Sequence, residues 1–187
     1  VQSSVRLILT VLASVLCALA QGPGKGLVIV LIGAPGSGKT TQADLLQKKY
    51  KIPILAGNAL REKAGSSPEK LNALLREQVL HADASKGFVI DGYPATRAEA
   101  DYLGKLVKEA KLPLPIIIQL DVPDDEVRRR MRSMPDSRDL ERELATYHKE
   151  LEFARSYYPQ SDIWTIIGTL PPNEVFQTIV ALIEDRQ

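Results

Sequence analysis

The sequence predicts an α/β protein built on an open parallel sheet covered by helices on both faces. Three observations predict it. Short, wholly apolar runs such as Leu27-Val28-Ile29-Val30-Leu31-Ile32 read as strands buried on both faces. These runs alternate with helix-period segments of the length a crossover between parallel strands requires. The first apolar run also leads through a glycine-rich turn, Gly33 to Gly38, straight into a helix.

The elements follow in order. After the strand ending at Ile32, Lys39 to Tyr50 reads as a helix with Ala43, Leu45 and Leu46 on its apolar side. Ile52 to Leu55 reads as a second strand, weakened by Pro53, which cannot donate to a ladder. Leu71 to Ala84 reads as a helix with Leu74, Leu75 and Val79 inward, and Phe88-Val89-Ile90 as a buried strand ending at Asp91. Arg97 to Lys111 is a helix and Ile116 to Leu120 a strand. Asp124 is expected to cap a helix reaching Met134. Leu140 to Tyr158 is a long helix, Ile163 to Ile167 a strand with Trp164 in the core, and Asn173 opens the last helix.

Length and charge narrow the function classes. A chain of 187 residues suits one α/β domain. A net charge of +1 gives no bulk electrostatic case for nucleic acid or an anionic membrane. Cys17 stands alone, so no internal disulfide forms, and with His81 and His148 as the only histidines a structural zinc site is not expected. Residues 1–25 stand apart. Arg6 precedes an apolar run from Leu7 to Ala20 that ends in Ala18-Leu19-Ala20, the pattern of a secretory signal with an A-x-A cleavage site. The competing reading is a buried N-terminal helix. The domain is therefore expected over residues 26–187.

The segment Gly33-Ala34-Pro35-Gly36-Ser37-Gly38-Lys39-Thr40 fits G-x-x-x-x-G-K-[ST] between a strand and a helix, the context that gives the pattern its meaning. Glycines let the backbone wrap a phosphate with its N–H groups inward, and the following helix start favours an anion. Lys39 is expected to reach the β- and γ-phosphates of ATP and the Thr40 hydroxyl to ligate Mg²⁺. Asp91, at the C-terminal end of its strand, is the second candidate magnesium ligand, with a turn residue before Gly92 as the alternative.

Gly33 to Thr40 with the trailing Thr41-Gln42 resembles the phosphate loop of the adenylate kinase family of nucleoside monophosphate kinases. Gly87-Phe88-Val89-Ile90-Asp91-Gly92-Tyr93-Pro94 is similar to that family's second signature. Asp121-Val122-Pro123-Asp124, Tyr147-His148, Tyr157-Tyr158 and Gly168-Thr169 follow in family order. The resemblance runs from about Leu27 to the C-terminus. It implies a P-loop NTPase fold with a five-stranded parallel core, ATP as donor, a nucleoside monophosphate as acceptor, and Mg²⁺. By it, Gly33, Pro35, Gly36, Ser37, Gly38, Lys39, Thr40 and Thr41 hold the ATP phosphates. Gly57, Arg61, Gly92, Tyr93 and Arg97 form the acceptor side, and Gly168 lies near the donor base. Lys39, Arg130 and Arg138 are the catalytic cations, and a monomer is expected.

The departures bear on activity, because phosphoryl transfer depends on cations that offset phosphate repulsion. Where the family places Arg-Thr after its Gly-aromatic-Pro motif, this chain has Ala95-Thr96. Glu143 replaces a helix arginine before Leu144, Glu99 replaces the glutamine that reads the acceptor adenine, and Ala56 and Asn58 replace Thr and Asp beside Gly57. Only residues 62–70 separate Arg61 from Leu71, where the family usually carries a longer insertion, so the acceptor segment is expected to shrink to a short loop. The lid, from Ser133 to Leu140, is also brief. Arg97, Arg138 and Arg142 are candidate replacements, whereas Arg128 and Arg132 read as a solvated helix face, and Tyr157 and Tyr158 as packing residues.

Two functions follow. One is an adenylate-kinase-type phosphotransferase, with ATP and AMP giving two ADP as the first choice. The other is an ATP-binding domain with weak or no transfer activity that acts as a sensor or partner module. The signal-like N-terminus suggests export or membrane tethering, while ATP chemistry suggests the cytoplasm.

Overall fold

The computed structural model describes residues 26–132 and 139–186. The expectations for residues 1–25 and for Arg138 lie outside the described residues. The strands are β1 (Leu27–Gly33), β2 (Ile54–Ala56), β3 (Gly87–Asp91), β4 (Ile116–Asp121) and β5 (Ile163–Ile167). They form one parallel five-stranded sheet in the order β2-β3-β1-β4-β5. From β1 the chain crosses to the edge strand β2, returns through β3 beside β1, and then passes to β4 and β5 on the other side. The topological switch point, where ligands of open α/β sheets bind, therefore lies at the C-terminal end of β1. The glycine-rich turn starts there, and the fold is that of a P-loop NTPase.

The helices are α1 (Lys39–Tyr50), α2 (Gly57–Ala64), α3 (Pro68–Leu80), α4 (Arg97–Glu109), α5 (Asp124–Met131), α6 (Leu140–Tyr157) and α7 (Pro172–Asp185). Strand alternation sorts the core onto two faces. Val28, Val30, Phe88, Ile90 and Ile117 pack with residues of α2, α3 and α4, including Leu60, Leu75 and Leu103. Ile29, Leu31, Val89, Ile118 and Leu120 pack with α1 and α7 through Leu46, Ile179 and Ile183. Both faces are covered, which is why the strands read as continuous apolar runs. A third cluster joins Ala34 of the turn to Val127 and Met131 of α5 and to Leu144, Tyr147 and Leu151 of α6. That cluster ties the glycine-rich turn to the two helices that roof it.

Four local expectations are corrected. The acceptor segment is short as expected but mostly helical: residues 57–64 form α2, with Leu60 and Ala64 buried one turn apart and Gly65 ending the helix at φ 63°, and residues 65–67 alone link it to the next helix. The next helix starts at Pro68 rather than Leu71, because Ser67 caps it by accepting from Lys70 N–H at 3.2 Å and Pro68 suits the first turn. It also ends at Leu80, and residues 82–86 form a 3₁₀ turn. Asp124 is not a cap: it is the first residue of α5, and its carboxylate meets His148 Nε2 at 3.0 Å. Trp164, expected in the core, is half-buried and packs against the α1–α7 side of the sheet.

Candidate active site

The turn after β1 is shaped by glycine where side chains could not fit. Gly36 and Gly38 take φ of 68° and 97°. A Cβ on Gly33 would stand 2.6 Å from Ser37 Oγ and 3.2 Å from the Leu120 carbonyl. The turn closes with Ser37 N–H donating to Ala34 O at 3.1 Å. No side chain caps α1, and its first turn carries no acid, so its free N–H groups present a partial positive charge to the cleft. Ser37 Oγ is buried without a hydrogen-bond partner, an orphaned polar atom inside the loop. These features fit a polyphosphate.

Lys39 leaves the first turn of α1 and folds back over the loop, donating to Gly33 O at 2.7 Å and Ala34 O at 3.0 Å. Burial draws its pKa below 10.5, and Asp91, Glu150 and Glu143 oppose the shift. Asp91, on the end of the neighbouring strand β3, is pushed above the ordinary carboxylate value by burial, against Lys39 and Thr40. Thr40 Oγ1 and Asp91 Oδ2 stand 3.5 Å apart, at the outer limit of a hydrogen bond. A hydroxyl and a desolvated carboxylate converging beside a phosphate cradle form a hard oxygen donor set that fits Mg²⁺.

A cleft of about 430 Å³ opens from this point, lined by Gly33, Pro35, Lys39, Asn58, Gly92 and, from the α6 side, Asp139, Arg142, Glu143, Thr146, Tyr147 and Glu150. A smaller recess shares Gly33, Lys39, Gly92 and Glu150 with it and reaches Tyr93. Arg61 stands behind the Gly92 wall of the cleft, donating to Gly92 O and, at 2.7 Å, to Glu99 Oε2. Gly57 lets α2 start directly on the β3 exit: a Cβ there would meet Gly92 O at 2.7 Å and Tyr93 Cβ at 2.8 Å.

A family model described as an AAA domain matches residues 32–146. The adenylate kinase of Leptospira biflexa (strain Patoc 1) is 30% identical over 163 residues, covering 76% of this chain and 88% of that protein. The adenylate kinase of Micrococcus luteus is 30% identical over 162 residues, covering 72% and 79%. This chain belongs to the adenylate kinase family. The adenylate kinase of Thermodesulfovibrio yellowstonii is 26% identical over 213 residues, covering 84% and 99%. That aligned span exceeds the 187 residues present here, so this family member lacks stretches that its relative carries.

The remaining residues expected at the site divide. Arg130 reaches the phosphate loop: its guanidinium donates to Gly36 O at 3.2 Å, Gly168 O at 3.1 Å and Glu126 Oε1 at 2.7 Å. It thereby links the loop to Gly168, whose N–H is held by Asp121 O at 2.8 Å. Glu126, shared by Arg129 and Arg130, is held at about 2. Thr41 is exposed on the first turn of α1. Arg97 is not brought inward: it is exposed and stacks 5.2 Å over the Tyr157 ring, whose hydroxyl donates to Asp101. Arg128 pairs with Glu141 and Asp125 on the surface, as a solvated face would. Arg142 does line the cleft.

Glu150 is the residue that sequence reasoning missed. Burial raises its pKa, and Arg61 and Lys39 act in the opposite direction. Its signal was present: Glu143, Tyr147 and Glu150 recur at helical spacing and share the α6 face that fronts Lys39. Among the described residues no helix is long and apolar enough to cross a membrane.

Proposed function

We propose that this chain transfers the γ-phosphoryl group of MgATP to a nucleoside monophosphate, with AMP as the first acceptor to test. An acceptor phosphate oxygen attacks Pγ, the bond to the β-phosphate bridging oxygen breaks, and two nucleoside diphosphates leave. One observation carries the reading: a glycine-shaped anion cradle with Lys39 faces Gly92 and Asn58, beside Arg61, across a single cleft. In this reading Lys39 is the cation for the donor phosphates and Arg61, bonded to Gly92 of the cleft wall, the cation for the acceptor phosphate. The α1 start, Ser37 and Lys39 hold the donor phosphates, and Arg61 orients the acceptor. Thr40 and Asp91 would hold Mg²⁺, which neutralises charge on the transferred group when bound. Arg130 braces the loop against the Gly168 turn, on the side assigned to the donor base.

A second reading, ATP binding with little or no transfer, has its own support. Asp139, Glu143 and Glu150 line the cleft beside Arg142, and Glu99 already neutralises Arg61. The test is coupled ADP formation with AMP, CMP, UMP and GMP as acceptors. Turnover with any of them, lost in Lys39→Met, supports transfer. Calorimetric ATP binding without turnover supports the second reading.

A further inference from the structure

Glu99 stands in the first turn of α4 with its side chain 16% exposed. A single carboxylate oxygen, Oε2, accepts from Arg61 Nη2 at 2.7 Å and from the Ala95 N–H at 2.7 Å. Arg61 also donates through Nη1 to Gly92 O and lies 5.7 Å over the Tyr93 ring. A guanidinium and a backbone N–H thus converge on one anionic oxygen, a donor pair that would suit a phosphate oxygen equally well.

Part of this arrangement belongs to the helix. Thr96 caps α4 by accepting from the Glu99 N–H at 3.3 Å, and Glu99 reaches back to the Ala95 N–H, a pairing close to a capping box. That role needs an oxygen acceptor, which glutamine supplies as well as glutamate. It does not need the charge, and the charge faces Arg61. Glu99 is the carboxylate that Arg61 pairs with, at 2.7 Å.

We infer that Glu99 is an internal anion seated on the acceptor-phosphate arginine, so that a phosphate-bearing acceptor binds by displacing it from Arg61. Acceptor affinity is then set by a competition between two anions for one guanidinium, and Glu99 is a positioning residue that neutralises Arg61 until the acceptor arrives. This rests on the acceptor-side assignment of Arg61 proposed above. Such a counter-anion keeps Arg61 turned toward Gly92 and Tyr93 until a stronger anion arrives.

The experiment is calorimetric titration of AMP into the wild-type chain, Glu99→Gln, Glu99→Asp, Arg61→Ala and the Arg61→Ala/Glu99→Gln double variant. Glu99→Gln keeps the helix acceptor and removes the charge, and should bind AMP about tenfold more tightly. Glu99→Asp, whose shorter carboxylate falls back from Arg61, should tighten binding by a smaller factor and covers a failure of the glutamine variant to fold. The gain should vanish when Arg61 is alanine. AMP binding that is unchanged or weaker in both Glu99 variants, or a gain that survives the loss of Arg61, overturns the inference. Turnover is not read in this titration. Tighter binding without phosphoryl transfer would remove the proposed reaction and leave the role of Glu99 standing, and wild-type turnover without the gain would do the reverse.

Discussion

Replacing Lys39 with methionine should raise stability while removing activity. The ammonium sits 2.7 Å and 3.0 Å from two carbonyls of its own loop, where burial lowers its pKa from 10.5 in spite of three facing carboxylates. A lowered lysine pKa means that the folded chain holds this proton less tightly than the unfolded chain does. The charge therefore costs stability at every pH below the folded value. Methionine keeps an unbranched stem and removes that cost. Two charge-assisted hydrogen bonds are lost, but Gly33 lines an open cleft, so water can replace the ammonium. The net gain should be about 1 kcal/mol, or about 2–4 °C in Tm for a chain of this size. It should shrink as pH rises through the window between the folded pKa and 10.5, because the folded wild type sheds its proton first. In the same variant kcat should fall by about 10²–10³, the typical loss when one donor to a developing anion is removed. Scanning calorimetry from neutral pH to 10.5, beside coupled ADP formation, checks both halves. A destabilised variant, or a Tm difference indifferent to pH, would refute the burial argument, and an unchanged kcat would refute the phosphate role.

Three further outcomes are expected. Gly57→Ala should cost about 1–3 kcal/mol in urea unfolding, since the new Cβ meets backbone at 2.7 Å and the buried Tyr93 at 2.8 Å rather than a yielding side chain. Glu143→Arg reverses an exposed charge facing Lys39 and should raise kcat about tenfold, less than a buried arginine would give because solvent screens it; steady-state kinetics with AMP measures this. Asp91 has a raised pKa, so activity should fall on acidification at a pH above the ordinary 3.8, and Asp91→Asn should flatten that limb of the pH–rate profile and raise the Mg²⁺ requirement. For stability the sign is the reverse: the buried carboxylate costs the fold above its raised pKa, and the asparagine variant should be the more stable one there.

The sequence by itself determined the parallel sheet, the phosphate loop and the strands, except that the second, expected over Ile52 to Leu55, lies at Ile54–Ala56. Wholly apolar runs are diagnostic when both faces of a sheet are covered, and a glycine-rich turn between strand and helix carries its chemistry in residues that are adjacent in the chain. Helix α1 reads correctly from Lys39 to Tyr50, its start marked by the loop glycine Gly38, and the structure ends it at Lys51, whose backbone is left-handed. The short α2 was not legible, since Gly57-Asn58-Ala59 resembles a turn until Leu60 and Ala64 find the core beside Leu55 and Tyr93. The charge state of the site was also not legible. Only the tertiary structure could set Glu99 against Arg61, separated by 38 positions, or turn Glu150 toward Lys39, because such pairings depend on how α2, α4 and α6 converge on the end of β1. A side chain's neighbours along the chain fix its conformation and its capping, whereas desolvation and ion pairing are set by neighbours in space, and in this protein those decide which arginine is free to meet a phosphate.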